Sequence, residues 1–147
     1  MSPRKVEASL VIKGRAEKII QAFTDIELLK DWWNVEKCLI NKITGGIYTL
    51  VWGISDDGFQ YVSTGIIEQY IPDNILKIKD FVYLSPKRPI LGPMTLEIHA
   101  EQRPDESTTV YLCQDGYGEG EHWDWYYNAV SKAWPDMLNV LKEYLEN

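Results

Sequence analysis

Residues with the chemistry for acid–base catalysis are few in this chain. Asp80 and Glu68 are the carboxylates closest to the apolar faces of predicted strands, where loss of hydration would raise a carboxyl pKa toward that of a usable base. Both lie near strand ends or edges, however, where water reaches a carboxylate. Tyr48, Tyr61 and Tyr126 could orient a polar ligand group through their hydroxyls, or could simply donate to water. We therefore assign no catalytic residue and favour binding over catalysis, with enzyme activity left open.

Metal and nucleotide sites need residue clusters that the sequence does not contain. His99 and His122 are the only histidines and lie on different predicted elements. The glycines of the 116–120 segment alternate, but they match no G-x-G-x-x-G pattern and no lysine follows them. Cys38 and Cys113 are far apart and form no C-x-x-C pair, so we expect two free thiols. We predict neither a metal site nor a cofactor.

The charge of the chain argues against a polyanionic partner. Its 22 acidic and 15 basic residues give a net charge of −7, whereas nucleic acids and anionic membranes recruit clustered Lys and Arg. No apolar run approaches the roughly 18 residues of a membrane span, and residues 1–5 lead into an alternating strand rather than a signal-peptide apolar region. We expect one cytoplasmic domain over residues 1–147 that binds neither nucleic acid nor a membrane.

Large aromatic residues with a polar tip are unusually frequent. The chain contains six Trp and nine Tyr but only three Phe. Such side chains suit the walls of a ligand cavity or an interface, where one end is dry and the other finds a hydrogen-bond partner. The alternative is a packed core that happens to use Trp and Tyr.

Hydrophobic periodicity divides the chain into strands and helices. Val6–Lys13 alternates apolar and polar residues, as a strand with one buried face does. Two short helices follow, over Ala16–Phe23 and over Thr24–Trp33, and Thr24 and Glu27 have the spacing of a capping box for the second. Tight turns then join most of six further strands, which predicts a seven-stranded antiparallel sheet. These strands are Lys37–Lys42, Ile47–Ile54, Phe59–Tyr70, Ile75–Tyr83, Met94–Gln102 and Ser107–Gln114.

The segment Ser85–Pro93 interrupts this pattern with three prolines. Proline cannot donate a hydrogen bond to a β-ladder, so the segment is too constrained to pair as a central strand. We expect a long surface loop, with a lid over a cavity mouth as the alternative. Just before it, exposed aromatic rings at Phe81 or Tyr83 could form the patch of a homodimer.

The longest helical pattern ends the chain. Its apolar stripe repeats at three- and four-residue steps from Trp123 to Leu145, about 36 Å of helix. A sheet with one apolar face must bury that face, so we expect the helix to lie across it. Seven strands are wider than one helix, and part of the concave face could therefore remain a cavity. Alternatively, Trp52, Trp123 and Trp134 could fill that space.

Strand and helix periodicity together indicate which side chains face each other across the cavity. The expected ligand is a small hydrophobic or aromatic molecule held between the sheet and the final helix. We predict that its contacts are Trp32, Tyr48, Leu50, Trp52, Tyr61, Ile78, Leu96, Ile98, Leu112, Gln114, Trp123, Tyr127 and Trp134.

The order of elements, a strand, two short helices, a meander and a long helix, resembles the START-like (SRPBCC) superfamily with its helix-grip (START/Bet v-like) fold. Several motifs resemble the branch named for the activator of heat-shock protein 90 ATPase, and they occur in the right order over nearly the whole chain. They are Ala22-Phe23-Thr24-Asp25 with Leu29 and Trp32, Gly45-Gly46-Ile47-Tyr48, Gly65 to Pro72 before Leu76, Thr109-Val110-Tyr111-Leu112 with Gly116-Tyr117, and Ala133-Trp134 with Leu138 and Leu141.

This resemblance implies an α+β helix-grip domain with a cavity for apolar or amphipathic small molecules. The same fold hosts polyketide cyclase/dehydratase-like enzymes, and the branch name implies a stress-response regulator of a chaperone ATPase. Three positions depart from the family pattern. Arg15 stands where a proline commonly begins the first helix, Gln69 where Glu is frequent, and Gln114 where the polar residue is often His. The two neutral amides put any titrating role at their positions in doubt.

Overall fold

The computed structural model describes residues 4–147, which form seven β-strands and three α-helices. The helices are α1 (Ala16–Ala22), α2 (Ile26–Trp33) and α3 (Glu121–Glu146). The strands are β1 (Lys5–Lys13), β2 (Lys37–Ile40), β3 (Ile47–Ser55), β4 (Gly58–Ile71), β5 (Ile75–Leu84), β6 (Leu91–Gln102) and β7 (Ser107–Asp115). The predicted order of elements is confirmed.

All seven strands belong to one antiparallel sheet in the order β1-β7-β6-β5-β4-β3-β2. From β2 to β7 each strand pairs with its successor, whereas β1 pairs with β7 from Lys5 opposite Asp115 to Lys13 opposite Ser107. The sheet therefore ends in β1 on one side and β2 on the other. The predicted α+β architecture, a seven-stranded antiparallel sheet with a long C-terminal helix, is confirmed.

Helix α3 runs parallel to the edge strand β1 and packs along it. At the start of both elements, the Arg4 guanidinium pairs with the Asp124 carboxylate at 2.9 Å. At their ends, the backbone N–H of Lys13 donates to the Glu146 carboxylate at 2.9 Å. The helix thus covers the β1 side of the apolar face, and the β3–β5 side is left to form the wall of a pocket.

The junction between α1 and α2 is capped differently from the prediction. Asp25 is the N-cap of α2, and its carboxylate accepts a hydrogen bond from the Glu27 N–H at 2.9 Å. The Thr24 hydroxyl instead donates to the Ile20 carbonyl oxygen at 3.1 Å. The predicted Thr24–Glu27 capping box is therefore wrong, because the Thr24 hydroxyl bonds back to the last turn of α1 and Asp25 supplies the acceptor at the start of α2.

A β-bulge in β5 changes which side chains point inward. Leu76 and Ile78 are buried, but the pairing register shifts between Ile78 and Phe81 on the β6 side and between Lys79 and Val82 on the β4 side. Asp80 occupies the shift with a φ of 50° and faces solvent. Beyond it, Phe81 and Tyr83 take the inward face, and Phe81 is only 4% exposed. The prediction of an exposed dimer patch at Phe81 is wrong, because the extra residue of the bulge reverses the alternation.

Part of the segment expected to be a loop belongs to a strand. Strand β6 begins at Leu91, which pairs with Tyr83, and it includes Gly92 and Pro93. The connecting loop therefore covers only residues 85–90. The prediction that proline excludes the whole segment from pairing is wrong, because a register shift next to Pro93 accommodates its missing N–H donor.

None of the helices within residues 4–147 combines the length and the apolar character that a bilayer crossing requires.

Candidate functional site

An apolar pocket of about 320 Å³ lies between the concave face of the sheet and the middle of α3. Its position arises because α3 packs along β1, so the strands on the opposite side of the sheet are left without close contact to the helix. The volume is at the lower end of the range of about 300–1,000 Å³ that small-molecule sites occupy. The pocket is lined by Trp33, Trp52, Tyr61, Ser63, Phe81, Tyr83, Gln114, Tyr126, Val130, Ala133, Trp134 and Met137.

Three tryptophans from three different elements form one wall of the pocket. The ring centroid of Trp33, at the end of α2, lies 5.2 Å from that of Trp52 and 5.3 Å from that of Trp134. The Trp52 Nε1–H donates to the Trp33 carbonyl oxygen at 3.1 Å. Edge-to-face and tilted packing of this kind fixes ring orientations, so this wall is a preformed apolar surface.

The buried side chain of Gln114 joins the sheet to α3 at the floor of the pocket. Its Oε1 accepts a hydrogen bond from the Trp134 Nε1–H at 2.8 Å. Its Nε2 donates to the Tyr126 hydroxyl at 2.9 Å and lies 3.3 Å from the Met94 Sδ. Because Gln114 is only 1% exposed, water cannot satisfy its amide group, and these protein partners supply the hydrogen bonds instead.

Two hydroxyl groups supply hydrogen-bonding capacity to the otherwise apolar pocket. Burial raises the pKa of Tyr126, and the hydrogen bond from Gln114 lowers that pKa by a smaller amount. Tyr126 therefore stays a neutral phenol. Since its oxygen accepts from Gln114, its own O–H is left to donate. Within residues 4–147 the structure shows no hydrogen bond from the Ser63 hydroxyl, which also lines the pocket. The pocket can thus hold an apolar body and hydrogen-bond one polar group on it.

Aromatic rings and one cation lie on the Tyr61–Tyr83 side of the pocket. The rings of Tyr61 and Tyr83 stack with centroids 6.3 Å apart, and Tyr83 lies 6.3 Å from Trp125. The Arg88 guanidinium, from the loop of residues 85–90, lies 3.5 Å above the centre of the Trp125 ring. Burial raises the pKa of Tyr83, and the positive charge of Arg88 opposes that rise. The cation is therefore close enough to act on a group at the pocket wall.

The structure separates the predicted contact residues into three groups. Four of them line the pocket, namely Trp52, Tyr61, Gln114 and Trp134. Seven lie in the packed core beside it, namely Trp32, Tyr48, Leu50, Ile78, Leu96, Ile98 and Leu112. Trp123 and Tyr127 pack instead around Tyr117 near the start of α3, with centroids 6.0 and 5.2 Å from that ring.

Two of the core residues use their side chains to hydrogen-bond backbone carbonyl oxygens and do not line the pocket. The Trp32 Nε1–H donates to the Ala22 carbonyl oxygen at 2.8 Å, and the Tyr48 hydroxyl donates to the Phe23 carbonyl oxygen at 2.6 Å. Both acceptors are at the end of α1, where helical carbonyls have no partner within the helix. Burial raises the pKa of Tyr48, so its hydroxyl remains a donor.

Several residues that line the pocket are not among the contacts predicted from the sequence. Phe81 and Tyr83 are predicted to be exposed, because the bulge at Asp80 leaves no clear signal in the pattern of apolar residues. Ser63 shares a face of β4 with Tyr61, so strand alternation could have identified it. Helical spacing of three and four residues from Tyr126 and Trp134 could have found the other α3 contacts, Val130, Ala133 and Met137, which share one face with them.

The titratable groups considered for catalysis lie elsewhere. Asp80 is exposed at the bulge, and Glu68 pairs with Lys77 at 3.3 Å on the outer face of the sheet. Among the residues that line the pocket in the described part of the chain, the only titratable side chains are the phenols of Tyr61, Tyr83 and Tyr126. Within residues 4–147, no three His, Cys, Asp or Glu side chains lie close enough to hold a metal ion.

Comparison with known proteins assigns this arrangement to a family. Residues 13–146 match the family described as Activator of Hsp90 ATPase homolog 1-like protein. No curated protein matches the chain.

Solved structures share the fold at low sequence identity. The solution structure of ChR145 from Cytophaga hutchinsonii is similar with a TM-score of 0.74 and 22% identity, over 100% of this chain and 97% of the other. The Aha1 dimer from Colwellia psychrerythraea has a TM-score of 0.70 and 19% identity, over 97% and 96% of the two chains. CalU16 from Micromonospora echinospora has a TM-score of 0.66 and 16% identity, over 95% and 74%.

Proposed function

This chain belongs to the Activator of Hsp90 ATPase homolog 1-like family, and from that premise we propose that it binds one apolar or aromatic small molecule between its sheet and its C-terminal helix. The proposal concerns non-covalent binding in the pocket beside Trp52 and Trp134.

The observation that carries this proposal is the preformed tryptophan wall beside an unfilled volume. Trp33 packs against both Trp52 and Trp134, yet about 320 Å³ remains beside the three rings. A concave space of this size that is lined mainly by large aromatic and apolar side chains is typical of a ligand site. Ser63 and Tyr126 then supply the few polar contacts that orient a bound molecule.

A calorimetric titration with decanol, a neutral apolar probe, tests the proposal. We expect one molecule to bind per chain. Ala133→Trp, which adds an indole at the pocket, should weaken binding by at least about tenfold, a loss of about 1.4 kcal/mol. Asn128→Trp is the matched control, since Asn128 is exposed on the opposite face of α3 and should leave the affinity within about twofold.

Two results would argue against a ligand site here. One is the absence of any binding by the unaltered protein to decanol. The other is equal binding by the Ala133→Trp and Asn128→Trp variants, which would place the probe outside the pocket.

The geometry supports binding over turnover. A polyketide cyclase/dehydratase-like reaction would need a general acid or base that changes protonation near neutral pH. The titratable groups of the described pocket wall are phenols, and burial raises the pKa of both Tyr83 and Tyr126 away from that range. A chaperone partner stays a prediction from the family resemblance. A homodimer stays a prediction as well, and the dimeric structure of Aha1 from Colwellia psychrerythraea is consistent with it.

A further inference from the structure

A single arginine lies beside the aromatic rings on the Tyr83 side of the pocket. Arg88 is half-buried in the loop of residues 85–90, and its guanidinium lies 3.5 Å above the Trp125 ring. Trp125 in turn contacts Tyr83, whose ring lines the pocket. Stacking on an aromatic face holds the planar guanidinium in one orientation while its edge stays free to form paired hydrogen bonds.

The charge of Arg88 is not neutralised within residues 4–147, where no Asp or Glu forms an ion pair with it. Its one polar contact there is with the His122 ring, 3.2 Å from Nη1 to Nδ1, and a neutral imidazole can accept that hydrogen bond. The chain carries a net charge of −7, and the other described arginines, Arg4, Arg15 and Arg103, all pair with carboxylates. Arg88 is thus the arginine that remains available to an anion from outside.

We propose that the ligand is an anionic amphipath, an inference that rests on the proposed function. The apolar part of the ligand fills the pocket, and its carboxylate pairs with Arg88 beside the pocket. On a scale of about 30 Å³ per water-sized group, the pocket holds about ten such groups, the size of a medium-length alkyl chain or a two-ring aromatic. An Arg–carboxylate pair is frequently bidentate, which would set the direction in which such a molecule enters.

Three probes with the same alkyl chain separate charge from apolar contact. We would titrate decanoate, decanol and decyltrimethylammonium into the unaltered protein by calorimetry at a mildly alkaline pH, where the carboxylate is ionised. Decanoate should bind more tightly than decanol by about three- to tenfold, as expected of a partly exposed charge-assisted pair, and the cation should bind most weakly.

Substitution then assigns the preference to one residue. Arg88→Gln should bring decanoate to the affinity of decanol and leave decanol within about twofold. Arg88→Lys should keep part of the preference because the charge remains. Arg15→Gln, at an exposed arginine of the α1 N-cap, is the control and should change neither affinity.

The outcomes distinguish this inference from the proposed function. Equal affinity of the unaltered protein for decanoate and decanol would overturn the role of Arg88 while the pocket stands. Retention of the decanoate preference in Arg88→Gln would overturn it too, and would leave Arg88 as a residue that only packs the loop against Trp125. Failure of all three probes to bind would overturn both proposals.

Discussion

The buried amide of Gln114 connects the sheet to the C-terminal helix, because its Oε1 accepts a hydrogen bond from the indole nitrogen of Trp134 at 2.8 Å. The same amide donates to the Tyr126 hydroxyl, which lies about two helical turns before Trp134 on the same face of α3. One side chain on β7 therefore sets the position of two α3 residues that line the pocket.

Removal of this amide should destabilise the fold. In Gln114→Leu the Trp134 N–H loses its buried acceptor and the Tyr126 hydroxyl loses its donor, so we expect the free energy of unfolding to fall by about 1–3 kcal/mol. Urea denaturation followed by tryptophan fluorescence measures it. Gln69→Leu, at an exposed glutamine on β4, is the control and should change stability by about 0.5 kcal/mol or less. Equal effects of the two substitutions would show that the hydrogen bonds of Gln114 contribute nothing.

The bulge in β5 depends on a residue that tolerates positive φ. Asp80 has a φ of 50°, a conformation that a β-branched side chain adopts only with strain. We expect Asp80→Val to lower the free energy of unfolding by about 1–2 kcal/mol and Asp80→Gly to cost nothing. Lys79→Val, at the exposed position just before it, is the matched control. A smaller loss in Asp80→Val than in Lys79→Val, measured by urea denaturation, would be inconsistent with the bulge.

Buried phenols make stability depend on pH on the alkaline side. Burial is the main cause that raises the pKa of Tyr48, Tyr117 and Tyr126 above the ordinary value of 10.0. A group whose pKa is higher in the folded state stabilises the fold fully below the unfolded pKa, and that contribution is lost as pH rises above it. We therefore expect the free energy of unfolding to decline above about pH 10, and phenolate absorbance of these residues to appear only on unfolding.

Tyr48→Phe separates this titration from general alkaline damage. It removes one buried phenol, so the decline of the unfolding free energy with pH should be shallower by up to about 1.4 kcal/mol per pH unit. Phe59→Leu, at an exposed aromatic residue that carries no hydroxyl, should leave the slope unchanged. Identical slopes in all three proteins would contradict the role of the buried hydroxyl.

Much of the architecture follows from local patterns. Alternation in Val6–Lys13 and turn residues between later strands predict the antiparallel sheet, and the helical stripe from Trp123 to Leu145 predicts α3. These signals are strong because a sheet face and a helix stripe must each be buried along their whole length. The inward position of Gln114 follows in the same way from Val110 and Leu112 on its strand.

The pocket depends on details that periodicity does not contain. One extra residue at Asp80 reverses the faces of Phe81 and Tyr83, and nothing in the apolar pattern marks it. The path of α3 along β1 decides that Trp134 reaches Gln114 whereas Trp123 packs on Tyr117. Such long-range placement comes from tertiary packing, which spacing along the chain cannot report.

A nuclear magnetic resonance titration of the tryptophan indole N–H signals locates a bound molecule within the fold. Addition of decanol should shift the indole signals of Trp52 and Trp134, which line the pocket, and leave that of Trp123 unchanged because it packs around Tyr117. Unperturbed Trp52 and Trp134 signals at saturating decanol, or a largest shift at Trp123, would contradict ligand binding between the sheet and the C-terminal helix.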